Sequence, residues 1–377
     1  MTVTYLPMEH IAEGGGQLQA ATRRRDAIPN GLTPFQDGDV LIAKITPCFE
    51  NMKGWLAQGL SSGVGFGSTE LHVIRAGPKV LPRILYAHSL SPRFRRLGAR
   101  FMTGSAGQQR VSADFLRAYR IWLPSLATQH RIADIDQRLE SALRSTDALI
   151  AAKREQKRGL MQQLLTGKVR FPGFTEPWKT VRLGDVVSID PEQLSATTPA
   201  DYAFRYIDLS SVNNGRIELP NSKTEFASAA SRARRVLMNG DVLLSTVRPL
   251  LKGFGILTSD SGPFVGSTGF AVLRATCQED ARFVFECLFS APVLRQMHAR
   301  TTGSSYPALG AEDVRELRIP WPSTSERNRI EALLTATTRE LQLLEDRRCS
   351  LTTQRRGLME RLLSGDIALF SSDTPAA

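Results

Sequence analysis

Gln156 to Lys168 reads QKRGLMQQLLTGK, and Gln354 to Asp366 reads QRRGLMERLLSGD. The two stretches lie 198 residues apart, with glycine-leucine-methionine, a leucine pair and a following glycine all in register. A match of this length marks an internal duplication. A chain made of two copies of one unit is expected to do one thing twice, at two related places on its target.

The repeat extends outward from that segment. Gly38-Asp39-Val40-Leu41 returns as Gly240-Asp241-Val242-Leu243, and Pro47 as Pro249. Gly67-Ser68-Thr69 returns as Gly266-Ser267-Thr268, and Arg75 as Arg274. Thr103-Gly104-Ser105 returns as Thr302-Gly303-Ser304, and Arg131-Ile132 as Arg329-Ile330. Between these anchors the copies differ almost completely. A shared scaffold with divergent filling suits a protein that presents two different reading surfaces on one framework.

With 377 residues and 42% hydrophobic content, the chain can form two or more globular domains. The net charge of +11 favours a polyanionic partner such as nucleic acid over an acidic small molecule. The excess is uneven: residues 1–170 hold 24 Lys/Arg against 13 Asp/Glu, and residues 171–377 hold 24 against 24. The four cysteines are scattered without a C-x-x-C pair, which fits a reducing cytosol and disfavours disulfide or zinc frameworks. With no signal peptide and no apolar run of membrane-spanning length, the expectation is a soluble cytoplasmic protein.

Each copy reads as an irregular α/β part followed by a long helix. Gly38–Ile45 and Gly240–Val247 are short apolar runs after a Gly-Asp turn and predict buried strands. Leu71–Arg75 and Phe270–Arg274 predict further strands, and Leu81–Ser89 and Ala281–Ser290 short helices. The globular parts close at Trp122-Leu123-Pro124 and Pro320-Trp321-Pro322, where proline ends regular structure. From Gln129, the positions Ile132, Ile135, Leu139, Ala142, Thr146 and Leu149 alternate by three and four, as in a coiled-coil seam. From Arg327, Ile330, Leu333, Thr337, Leu341 and Leu344 give a rougher stripe. A helix over Thr128–Leu165 would be roughly 55–60 Å long. Two such helices are expected to pack on each other. Gly159 and Gly357 sit within them at equivalent places; a mid-helix glycine costs about 1 kcal/mol against alanine, so close helix approach or a bend is expected there.

Catalytic signatures are missing. There is no G-x-x-x-x-G-K-[ST] loop, no H-E-x-x-H and no G-x-S-x-G. No Asn-Pro-Pro-aromatic methylation motif occurs, and no nuclease-like Pro-Asp followed by Glu-x-Lys. None of the five histidines recurs in the other copy. Gly63-Val64-Gly65-Phe66-Gly67 lacks the strand–helix setting of a nucleotide-binding turn and reads as a loop.

Candidate DNA-contacting elements recur in both halves. After the first strand stand Lys44, Asn51 and Lys53, and in the second copy Arg248 and Lys252. The Thr-Gly-Ser loops bring Thr103, Gly104, Ser105, Gln108, Gln109 and Arg110 against Thr302, Gly303, Ser304, Ser305 and Tyr306. Glycine-containing loops let backbone amides approach phosphate, while Gln, Asn and Arg can read base edges. The clusters Arg23, Arg24, Arg25 and Arg232, Arg234, Arg235 precede the Gly-Asp turns and suit phosphate contact.

These motifs, with Gln129-His130-Arg131-Ile132, LMQQLLTGK and the run Phe171-Pro172-Gly173-Phe174, Trp178-Lys179, Leu183-Gly184-Asp185, resemble the specificity subunit of type I restriction–modification systems. The resemblance covers essentially the whole chain. It implies an α/β (α+β type) fold: two target-recognition domains separated by two long antiparallel coiled-coil helices in a pseudo-two-fold arrangement. The expected boundaries are a first recognition domain at 1–125, a helix at 126–170, a second domain at 171–322, a helix at 323–370 and a disordered tail at 371–377. The implied partners are double-stranded DNA, methyltransferase subunits and restriction/translocase subunits, with no membrane. The chain itself is expected to be non-catalytic and without cofactor or metal, S-adenosylmethionine and ATP belonging to the partners. Each domain would read one half of a split site, and the helices would set the spacing. A stand-alone DNA methyltransferase, which would bind S-adenosylmethionine itself, and a coiled-coil adaptor binding DNA without sequence preference are the competing readings. One departure stands out. Tyr5 aligns with Tyr206, so the first copy has no counterpart of Trp178–Asp185: either the start of the sequence is placed too late, or the first domain is shortened and its strand order compromised.

Overall fold

Apolar runs after a glycine-aspartate turn can be strands buried on both faces, and here they are. The computed structural model describes residues 1–16, 21–105, 107–303 and 307–367. The expected tail at 371–377 lies outside them, as do Ser304, Ser305 and Tyr306. The chain divides into a first unit, Met1–Ala148 with Glu345–Ala377, and a second unit, Leu149–Leu344. Both boundaries fall inside the long helices, so each unit holds a globular part and a segment of each helix.

In the first unit, the strand Val40–Ala43 is buried throughout. Its side chains alternate between two cores: Leu41 and Ala43 join Leu6, Phe35, Trp55 and Leu71, while Val40 and Ile42 join Phe49, Tyr86, Phe94 and Val111. Val242–Ser245 does the same in the second unit, Val242 and Leu244 facing one core and Leu243 the other. Burying each such side chain contributes about 1.5–3 kcal/mol.

The repeated motifs are largely explained by how these strands are held. Gly38 and Gly240 turn with φ of 88° and 92°, a region open to glycine without steric cost. Asp39, buried, accepts the Gln36 N–H at 2.8 Å and both arms of Arg75 at 2.8 Å. Asp241 accepts the Met238 N–H and both arms of Arg274 at the same distances. The Gly-Asp motif and its distant arginine are therefore one latch, built twice.

The sheets repeat as well. In the first unit four strands run in the order Ala21–Arg24, Thr2–Leu6, Val64–Gly67, Thr33–Gln36, with the middle pair parallel. In the second the order is Thr224–Glu225, Ala203–Ile207, Phe264–Ser267, Ala233–Leu237, again with the middle pair parallel. The stretch Gly63–Gly67, read above as loop, thus contains a strand. Its glycines make room for packing, since a Cβ on Gly65 would lie 2.3 Å from the Phe35 ring. The expected damage to the strand order does not occur. Among the described residues, the first unit has no strands equivalent to Ser188–Ile189, which edges the sheet of Val242–Ser245, to Lys179–Arg182, which pairs with Arg318–Trp321, or to the hairpin of Val212–Asn213 and Arg216–Ile217.

The long helices span Leu126–Leu164 and Thr324–Ser364. In the first unit they pack antiparallel: Ile132 meets Met359, Leu362 and Leu363, while buried Asp136 pairs with Arg355 and, from the globular part, Arg83, both at 2.8 Å. Arg348 pairs with Asp147 further along. In the second unit Leu164, Leu165, Ile330 and Leu334 join the main core, and Lys153 pairs with Glu340. The seam departs from the expected register at two places. Leu149 and Leu333 are exposed, and their neighbours Ile150 and Leu334 are buried instead; Leu334 turns into the main core of its unit beside Ile330. Gly159 and Gly357 do not mark a close approach either: a Cβ on each would meet nothing within 4 Å.

What the repeated LLTGK and LLSGD segments do is end a helix. Gly167 and Gly365 take φ of 68° and 83°. Two residues on, Val169 and Ile367 donate back to the carbonyls of Gln163 and Arg361. A tryptophan closes each end, Trp178 against Gly167 and Trp122 against Gly365. The Trp178 indole N–H also donates to Glu326 at 2.9 Å, and Arg170 clasps the same carboxylate. Burial raises the Glu326 carboxyl, but these bonds outweigh it and hold it below the usual carboxylate range. Gln129 is likewise structural, buried and bonded to the Leu81 N–H and to the carbonyls of Lys79 and Pro124. Arg327 holds the equivalent place in the second unit, donating to the Pro322 carbonyl and to Asp280.

Candidate nucleic-acid interface

Three loops that carry repeated motifs converge in each unit. In the first, the Lys44 N–H donates to the Glu70 carbonyl at 3.0 Å, the Thr46 N–H to that of Gln109 at 2.9 Å, and the Val111 N–H to that of Lys44 at 2.9 Å. In the second, the Thr246 N–H donates to the Gly269 carbonyl at 2.9 Å, the Arg248 N–H to that of Pro307 at 2.7 Å, and the Leu309 N–H to that of Thr246 at 2.9 Å. These are the same three bonds at equivalent positions. They join the loop after the central strand, the Gly-Ser-Thr loop and the Thr-Gly-Ser loop into one surface.

The side chains on that surface differ between units. In the first, Arg110 grips Glu70 with bonds of 2.8–3.2 Å. The Arg110 hydrogen bonds hold the Glu70 carboxyl below its usual range against a weaker opposing effect of burial. Asn51 donates to Glu13 at 2.8 Å, and the Lys53 ammonium to the Met8 carbonyl at 3.3 Å. Thr103, Gly104, Ser105, Gln108 and Gln109 are exposed. Gly104 turns with φ of 125°, and a Cβ there would lie 2.9 Å from the Gln108 carbonyl oxygen. Beneath the loop, buried Arg95 donates to the carbonyls of Ser89, Phe49 and Lys53. Burial pushes its pKa down to about 9. No sequence signal marks this tie, because Arg95 sits among Arg93, Arg96 and Arg100 and only packing separates it from them.

In the second unit Gly269 occupies the place of Glu70. Arg248 and Lys252 flank the turn Pro249–Leu251 with left-handed φ of 49° and 57°. Thr302 and Ala308 exchange backbone hydrogen bonds across the loop that carries exposed Gly303.

The basic clusters lie on strands and the turns beside them rather than on these loops. Arg23 and Arg25 are exposed and stack over the rings of Tyr5 and Phe66 at 4.2 and 4.4 Å, and Arg24 pairs with Asp26. Arg232 is exposed, its carbonyl bonded to the Thr268 N–H of the Gly-Ser-Thr loop. Arg234 stacks over Phe226 at 4.8 Å. Arg235 is largely enclosed and pairs with Asp190 at 2.9 Å, so its charge is spent inside the fold. Among the described residues, no group of three or more His, Cys, Asp or Glu could hold a metal ion, and no helix is long and apolar enough to cross a membrane.

Two mixed globular parts with two long helices define a fold class with known representatives. A solved type I restriction–modification S subunit from M. genitalium shares it, with a TM-score of 0.59, 15% identity, and coverage of 96% of this chain and 88% of that one. Residues 175–352 match the family described as type I restriction modification DNA specificity domain, and the chain is similar in sequence to type I specificity subunits. It is 40% identical over 132 residues to the type I restriction enzyme EcoAI specificity subunit of Escherichia coli, covering 34% of this chain and 22% of that protein. It is 37% identical over 156 residues to the EcoEI specificity subunit of the same organism, covering 39% and 26%. The matched stretch thus spans about a quarter of these curated relatives' length.

Proposed function

We propose that this chain is the DNA-reading subunit of a type I restriction–modification complex. Each unit would read one half of a split double-stranded site with its converging loops. The helices would dock methyltransferase subunits, and restriction/translocase subunits would complete the assembly. Chemistry would reside on those partners together with S-adenosylmethionine and ATP, and the chain would act in the cytoplasm. One observation carries the reading: three equivalent backbone hydrogen bonds fix the same loops twice, while the side chains on them diverge. Fixed backbone with variable side chains is what two different base sequences require of two copies of one reader. The domain boundaries given by the sequence, 1–125 and 171–322 with the intervening helices, go with this proposal.

The test is reconstitution with a methyltransferase subunit from the same genome, followed by methylation mapping. The complex should modify one split sequence, and the chain alone should transfer no methyl group. Robust methylation by the isolated chain, free of partner, would instead favour an autonomous enzyme. Salt-sensitive binding without sequence preference would favour an adaptor.

A further inference from the structure

The turn after the central strand ends in opposite ways in the two units. In the first, the loop turns Phe49 fully inward, where Arg95 lies 4.7 Å over its ring, and leaves Glu50 exposed. In the second, Pro249 is buried while Leu250 and Leu251 are 46% and 70% exposed. Two adjacent leucines in water at a loop tip are an unfavourable arrangement unless something covers them.

The tip is held in place. Leu251 N–H donates to the Arg248 carbonyl, Lys252 N–H to that of Pro249, and Asn214 N–H to that of Lys252, each at 2.9 Å. Arg248 and Lys252 occupy left-handed backbone that non-glycine residues adopt only when their surroundings impose it. The leucines are thus bracketed by two cationic side chains on a fixed turn. Those cations complement a polyanion, so the occupant that fits this tip is DNA rather than an apolar protein face. On a DNA major groove the one apolar group at a base edge is the C5-methyl of thymine.

We infer that Leu251 is a specificity-determining residue whose side chain packs on a thymine methyl in the half-site read by the second unit. Arg248 and Lys252 bring the backbone phosphates to either side of it. The assignment rests on the DNA-reading function proposed above and adds a named base to it. It concerns the second unit alone, because the first buries Phe49 where the second presents leucine.

The experiment uses the assembled complex and duplexes carrying the site mapped by methylation. Each thymine of the second half-site is replaced in turn by uracil, which removes only the methyl group. Wild type should bind one of these duplexes about fourfold more weakly, the effect of one buried methyl group. The Leu251→Ala complex should bind the thymine and uracil forms equally, both near the wild-type affinity for uracil. Leu251 is exposed, so this substitution leaves the core intact, and an unfolding midpoint equal to that of wild type confirms it. A second half-site without thymine, no uracil effect in wild type, or an undiminished uracil effect in Leu251→Ala overturns the inference. Failure of the wild-type complex to distinguish its site from a scrambled duplex would instead sink the underlying function.

Discussion

The two sets of converging loops share their backbone bonds and almost nothing else. In the first unit the surface is cross-braced by side chains: Glu70 by Arg110, Asn51 by Glu13, and the whole loop by Arg95 from beneath. In the second unit glycine replaces the glutamate, and the backbone hydrogen bonds of the Arg248–Lys252 turn do the bracing. The comparison separates scaffold from reader. The backbone bonds and the Gly-Asp latches repeat, while most of the side chains on the loops differ.

The largest expected effect concerns the scaffold. Arg274→Ala would leave the buried carboxylate of Asp241 uncompensated, at about 3 kcal/mol, the lower end for a broken buried pair. Arg75→Ala should cost the first unit less, because the Arg75 side chain is 61% exposed against 23% for Arg274, and water can replace it. Thermal unfolding of the two variants measures the difference. An equal or reversed ranking would show that the latches are not the same device in two solvent settings.

A smaller effect separates the loops by pH. The Glu70 carboxyl is depressed by Arg110, so this pair's contribution is present above the ordinary carboxylate value and is lost as pH falls through the lower folded value. Acid should therefore lower the protection of the Lys44 and Val111 amides against hydrogen exchange, measured relative to the intrinsic rate at each pH. The equivalent Thr246 and Leu309 amides, beside Gly269, should hold their protection over that interval. Parallel loss in both units would show that the side-chain brace contributes nothing.

How much of this was visible in the sequence follows the same division. The duplication, the central strands and the two helices were legible because each rests on a local pattern: a glycine turn before an apolar run, or a three-four alternation without proline. The parallel pairing of Thr2–Leu6 with Val64–Gly67 was not, since it joins segments some sixty residues apart and one of them is glycine-rich. Of the candidate contacts, the loops were found because their motifs repeat, yet Arg235 and Arg110 proved to be engaged with Asp190 and Glu70. A sequence shows a charge without showing its partner. Nor could it show that Asp39 recurs as Asp241 for a structural reason, or that Gln129 and Trp178 serve the fold.

The smallest effect tests the helices. Gly159→Ala and Gly357→Ala should each stabilise by about 0.5–1 kcal/mol, because the new methyl group meets open space in both. Denaturant unfolding should show the same gain for each. Destabilisation by either one would mean that its face is covered in the folded chain after all.

The central claim is that two copies of one scaffold read two sequences independently. It is tested most directly by replacing residues 171–322 with the equivalent region of a relative of different specificity and mapping methylation by the reconstituted complex. The account predicts that one half of the recognised site changes to the donor's while the other half and the spacer stay as they were. A swap that rewrote both halves, or neither, would contradict it.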